Sequence, residues 1–131
     1  MKVMVIHHGD EAGNALVERV RSTGVEVVEQ APRWPAFFHA IHIPPTPGEF
    51  RREDAEKPDM VVVECSTDPS VGREVGGYIG ETGFTRHIPV YLVDHPENER
   101  YKARRRAPNA HIVTSSELEK MLSDMLKEEA N

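Results

Sequence analysis

The side chains able to bind or react gather at a few points along the chain, each just after an apolar run. His7 and His8 follow Lys2-Val3-Met4-Val5-Ile6, and Glu64, Cys65 and Ser66 follow Met60-Val61-Val62-Val63. Asp94 and His95 follow Pro89-Val90-Tyr91-Leu92-Val93, and Thr114 and Ser115 follow Ala110-His111-Ile112-Val113. Imidazole and thiolate are transition-metal ligands, so His7, His8, Cys65 and His95, with Glu64 and Asp94 beside them, form one candidate metal set arriving from three strand ends. The plainer reading is that the histidines fill strand-end positions and Cys65 is a small buried apolar residue. No paired-ligand spacing distinguishes the two.

The elements that must position these residues are read from periodicity. Continuous apolar runs such as 60–63 and 89–93 suit strands buried on both faces, and a helix between them makes a parallel βαβ unit. A helix is predicted from about Ser70 to Thr82, with Asp68 as cap, Pro69 at the first position and Gly83 in a left-handed C-terminal cap. Val71, Val75, Tyr78 and Ile79 form its apolar stripe. Gly72, Gly76, Gly77 and Gly80 each cost about 1 kcal/mol relative to Ala, and close packing on the sheet is the expected compensation. A phosphate cradle fits less well, because these glycines lie inside the periodic helix and not in the turn before it.

Asp10 is expected to cap a helix whose inward face is Leu16, Val17 and Val20 and which stops at Gly24. Residues 25–30 read as an edge strand. A short charged helix carries Arg100, Lys102, Arg104, Arg105 and Arg106, which form either a solvated face or a site for an acidic partner or phosphate. In the last helix, Thr114 and Glu117 have capping-box spacing, and Leu118, Met121, Leu122, Met125 and Leu126 form one stripe. Five strands with intervening helices predict a flavodoxin-like, doubly wound α/β domain of strand order 2-1-3-4-5, with its pocket outside the carboxyl ends of the strands.

Composition narrows the classes of function. The 131 residues suit a single domain with a real core, and the formal net charge of -6 argues against a dedicated nucleic-acid binder. One cysteine excludes an internal disulfide and fits a reducing, cytoplasmic compartment. No apolar run approaches the roughly 20 residues a membrane span needs, and no signal peptide precedes the first strand. The segment at about 31–58 is a proline- and aromatic-rich insertion in which Trp34, Phe37, Phe38 and Ile41 have helical spacing. It reads as a short core helix stopped by Pro44-Pro45 or as an exposed partner surface or lid.

Lys2-Val3-Met4-Val5-Ile6 with two polar residues, Pro58-Asp59-Met60-Val61-Val62-Val63-Glu64, Ile88-Pro89-Val90 and Ala110-His111-Ile112-Val113 together resemble a response-regulator receiver domain over nearly the whole chain. The resemblance places the family's Mg²⁺-holding acidic pair on His7 and His8 and its phosphoacceptor aspartate on Glu64. It places the family's Thr or Ser on Asp94 and its lysine on Thr114. None of these types is retained, which implies a pseudo-receiver, a signalling or protein-interaction module with no cofactor. Gly72-Arg73-Glu74 with Thr85-Arg86-His87-Ile88-Pro89-Val90 is also similar to receiver-like bacterial proteins of unassigned function. The family resemblance further implies a weak homodimer through the last two helices, with Arg104, Arg105 and Arg106 facing Glu117, Glu119 or Asp124 across a two-fold axis.

A second resemblance points to an enzyme. Asp59 to Glu64 followed by Pro69-Ser70-Val71-Gly72 and Glu74-Val75-Gly76 is similar to nucleoside deoxyribosyltransferases and nucleotide N-glycosidases. That likeness implies Glu74 as nucleophile on the sugar and Ser70, with the helix N-terminus, as phosphate holder. The Gly72–Glu74 spacing is shorter than that family's pattern, and His8-Gly9-Asp10-Glu11 brings acid where a phosphate would approach.

Overall fold

The computed structural model describes residues 1–33, 37, 57–83 and 85–130. Five parallel strands, β1 (Lys2–Ile6), β2 (Glu26–Gln30), β3 (Met60–Glu64), β4 (Val90–Val93) and β5 (His111–Val113), lie in the order β2-β1-β3-β4-β5. The helices whose bounds lie within the described residues are α1 (Glu11–Arg21), α2 (Pro69–Glu81), α3 (Arg100–Arg106) and α4 (Ser115–Ala130), with a 3₁₀ turn at Glu97–Glu99 leading into α3. The expected order and doubly wound class are therefore the observed ones.

The all-apolar runs are explained by burial on both faces. Met4, Ile6, Val61, Val63, Val90 and Leu92 pack with Val75 and Ile79 of α2 and Ala103 of α3. Val3, Val5, Met60, Val62 and Val93 pack with Leu16, Val17 and Val20 of α1 and with Leu118 and Leu122 of α4. The register Ile6↔Val63 and Glu64↔Val93 brings the ends of the three central strands to one rim. β2 is an edge strand, its residues half-buried or exposed.

Local signals set most helix ends. The Asp10 carboxylate accepts from Gly13 N at 2.9 Å and the Asp68 carboxylate from Val71 N at 3.2 Å. Gly24 closes the α1 turn at φ 101°. Thr114 and Glu117 form the reciprocal capping box, at 2.9 Å from Thr114 N to Glu117 Oε1 and 3.1 Å from Glu117 N to Thr114 Oγ1. The end of α2 differs from expectation. Thr82 takes an extended C-cap, its amide and hydroxyl both donating to the Tyr78 carbonyl, so no left-handed Gly83 is needed.

The helix glycines also divide. A Cβ on Gly72 would strike Cys65, on Gly76 the Leu92 side chain and on Gly77 the Arg106 carbonyl, so three of them are fixed by close packing. A Cβ on Gly80 would meet nothing within 4 Å among the described residues, so packing on the sheet does not account for it. Of the aromatic segment, Phe37 is helical and buried, meeting Tyr78 edge-on at a centroid distance of 6.4 Å. Trp34, Phe38 and the rest of the helix expected there lie outside the described residues. Among the described residues no helix is long and apolar enough to cross a membrane.

Candidate functional site

The rim formed by the carboxyl ends of the strands is a web of polar groups that largely satisfy one another. Glu64, at the end of β3, is buried. Its Oε1 accepts from the Ser66 amide at 2.8 Å and from the Ser66 hydroxyl, and its Oε2 faces the Thr67 amide at 3.4 Å. The carboxylate is thus folded back into its own turn. Thr67 Oγ1 donates to Asp10 Oδ2 at 2.5 Å, joining this turn to the one after β1; that bond, with the Gly13 amide, holds the Asp10 carboxyl below its ordinary range.

Asp94 occupies the left-handed region at φ 57°, a conformation its short polar side chain tolerates better than most. Its Oδ1 accepts from Ser115 N at 2.9 Å and so serves the first orphan amide of α4. Across the rim, Arg19 Nη1 donates to Ser115 Oγ at 2.7 Å, while its Nε pairs with Glu119 at 3.1 Å. Arg19, Glu64, Ser66, Asp94 and Ser115 line one cavity of about 300 Å³, floored by Ala12, Ala15 and Leu16. Arg19 was not evident from sequence reasoning; the signal was Ala12-x-x-Ala15-x-x-x-Arg19, small residues one and two helical turns before a cation on the same face.

The histidines and the cysteine do not join this cavity. Gly9 N donates to His7 Nδ1 at 3.0 Å, which leaves the ring proton on Nε2, and Nε2 donates to Glu29 Oε1 of β2 at 2.8 Å. The buried His7 ring is therefore turned to the sheet edge, against Gly13 of α1, and His8 is exposed. His95 is buried, accepts from Arg73 Nη1 at 3.2 Å on Nε2 and donates from Nδ1 to the Pro96 carbonyl at 3.1 Å. Burial holds its imidazole below the ordinary range. The Cys65 thiol is fully buried, donates to the Val63 carbonyl at 3.4 Å and is pushed up to about 12, first by burial and then by the Glu64 charge. Among the described residues no three His, Cys, Asp or Glu side chains converge as a metal site. The set His7, His8, Cys65 and His95 is dispersed because each buried member already has a partner of its own.

Ser70 and Glu74 lie elsewhere, on the outer face of α2. They line an apolar crevice of about 400 Å³ with Pro32, Phe37, Val71, Val75 and Tyr78. Glu74 Oε2 accepts from Arg106 Nε at 3.0 Å, and the same guanidinium makes two bonds to Glu81, at 3.2 and 3.3 Å. Arg106 therefore ties α3 to α2 within the chain and is not free as expected of an interaction surface. Arg104 and Arg105 are exposed.

The strand order, the two helical layers and a polar rim at the ends of β1, β3, β4 and β5 define a receiver-type, flavodoxin-like fold. Three solved structures share the fold at low identity. They are the N-terminal domain of a response regulator receiver protein from Methanoculleus marisnigri JR1 (15% identity, 97% of this chain and 94% of that one, TM-score 0.57), the phosphorylated cyanobacterial phytochrome response regulator RcpA (16%, 95% and 89%, 0.61) and a response regulator in red light signaling of R. palustris (12%, 95% and 91%, 0.60). No family model matches the chain. No curated protein matches it either.

Proposed function

We propose that the chain is a receiver-like signalling module that carries no phosphotransfer chemistry and acts by contact with protein. The observation that carries this reading is Glu64. A phosphoacceptor must present an accessible carboxylate oxygen to its donor, whereas Glu64 is buried, with Oε1 taken by both donors of Ser66 and Oε2 turned to the Thr67 amide. The surroundings agree. A hard divalent cation requires several oxygen ligands, and the end of β1 supplies instead an imidazole turned toward Glu29 and a second, exposed one. The Arg19 guanidinium brings positive charge into the same cavity, which opposes a cation there. The residues present do not fit the magnesium site that the fold implies. A reducing, cytoplasmic compartment suits the lone buried Cys65.

For the contact itself, the favoured surface is the face of α3, β5 and α4, used for weak self-association. Tyr101 is 60% exposed there, beside exposed Arg104 and Arg105, and Asp124 of α4 is exposed as well. Arg106 and Glu119 are already engaged within the chain and Glu117 is held in the capping box with Thr114, so the charge pairing across a two-fold axis rests on Arg104, Arg105 and Asp124. Exposed pairs of this kind are worth little each and are screened by salt. Sedimentation velocity tests the surface: the expected result is concentration-dependent association that weakens with salt and on reversing Arg104 and Arg105 to Glu. A strict monomer at high concentration and low salt refutes it. A dimer broken by Phe38→Ser but untouched by the arginine reversals moves the contact to the aromatic segment.

A further inference from the structure

At the opposite end of the sheet from the polar rim, the ends of α2 and α3 and the starts of β4 and β5 enclose a crevice of about 460 Å³. That is the scale of a small-molecule site and more than a lone inorganic anion fills. Arg86, His87, Arg105 and His111 line it, all four exposed, and half-buried Gly80 stands on one wall, whereas Gly77 is buried beneath the Arg106 side chain. Neither Arg86 nor Arg105 has an ion pair among the described residues, whereas Arg19, Arg21, Arg73 and Arg106 each meet a carboxylate. The one acid on the lining, Glu81, is spent on Arg106. The crevice is thus cationic inside a chain of net charge -6.

Gly80 supplies an independent observation. A glycine inside a helix costs about 1 kcal/mol against alanine, and its three neighbours in α2 recover that by packing. Gly80 does not: a Cβ there meets nothing within 4 Å among the described residues, and its φ is not in the left-handed region. What its missing side chain leaves is the open wall of this crevice.

We propose that the crevice binds a phosphorylated small molecule of mononucleotide size, its phosphate between Arg86 and Arg105 and its organic body against Gly80. Guanidinium groups suit phosphate because their donors match its oxygens two at a time. The missing side chain of half-buried Gly80 leaves room for a flat body beside the helix. This site is separate from the Glu64 rim but shares Arg105 with the proposed self-association face, so the titrations are run at concentrations where sedimentation shows a monomer and Arg86, outside that face, is the discriminating variant.

Adenosine monophosphate and inorganic phosphate, titrated into the full chain at low salt with calorimetry and amide chemical shifts, test it. The expected result is one saturable site for the nucleotide, with shifts confined to 76–80, 86–90 and 105–111, and weaker binding of phosphate alone. Arg86→Ala and Arg105→Ala should each reduce affinity about ten-fold, the range of a lost charged hydrogen bond. Gly80→Leu should block the wall without touching a charge; circular dichroism checks that each variant folds. Failure of both probes to saturate overturns the proposal. So does binding that survives Gly80→Leu, which marks diffuse surface charge, or binding of single-stranded RNA with the nucleotide silent.

Discussion

Gly77 and Gly80 lie three residues apart on α2, and alanine at the two sites is expected to act with opposite sign. At Gly80 the new methyl meets nothing within 4 Å among the described residues, so the helix gains its intrinsic preference, about 0.5–1 kcal/mol. For a domain of this size that raises the melting temperature by about 3 °C. At Gly77 the methyl stands 2.6 Å from the Arg106 carbonyl oxygen and in the path of its guanidinium. The guanidinium can swing away, but the carbonyl is backbone, so α3 must shift and Arg106 must release Glu74 and Glu81. Overpacking of this kind costs about 1–3 kcal/mol, which set against the helix gain leaves a net loss of up to about 2.5 kcal/mol. Urea unfolding followed by circular dichroism measures both. Equal stabilisation by the two alanines would show that α3 does not rest on α2 as described.

Two further outcomes follow from the buried titratable groups. With its thiol pushed up to about 12 and its side chain fully buried, Cys65 should be inert to a disulfide reagent in the native protein at neutral pH and react at once in denaturant; rapid stoichiometric labelling of the folded chain contradicts this. Burial depresses the folded pKa of His95, so the unfolded chain takes a proton near pH 6.5 while the folded one resists it. The sign follows: stability is full above the ordinary histidine value and is lost as pH falls below it. Between about pH 7 and pH 5 the unfolding free energy should therefore decline less steeply in His95→Gln than in the parent, and identical slopes would remove His95 as a contributor.

Much of the architecture was legible because it is dictated locally. The apolar runs 2–6, 60–64 and 90–93 have too few polar residues to leave a face in water, which specifies central strands, and Asp10, Asp68 and the Thr114–Glu117 box mark helix starts through their own hydrogen bonds. What local pattern does not encode is where a strand-end side chain turns. His7 follows β1 as predicted, yet its ring goes to Glu29 because the β1–β2 register sets Ile6 beside Gln30 and so brings the two together. Arg19, a surface residue by its helical position, reaches the rim only through the packing of α1 beside α4. Arg106 belonged by sequence to an exposed basic cluster, and tertiary contact with two glutamates of α2 removes it. Thr82 likewise outcompetes Gly83 at the end of α2, since a hydroxyl bonding back to Tyr78 supplies the cap.

Phosphotransfer is the most direct measurement of the account. The full chain is incubated with acetyl phosphate and Mg²⁺ at neutral pH and its intact mass followed, with Glu64→Gln in parallel. The account predicts no phosphoryl adduct in either protein, since the Glu64 carboxylate is bonded into its own turn and Arg19 shares its cavity. A stable, Mg²⁺-dependent gain of one phosphoryl group that disappears in Glu64→Gln would contradict it.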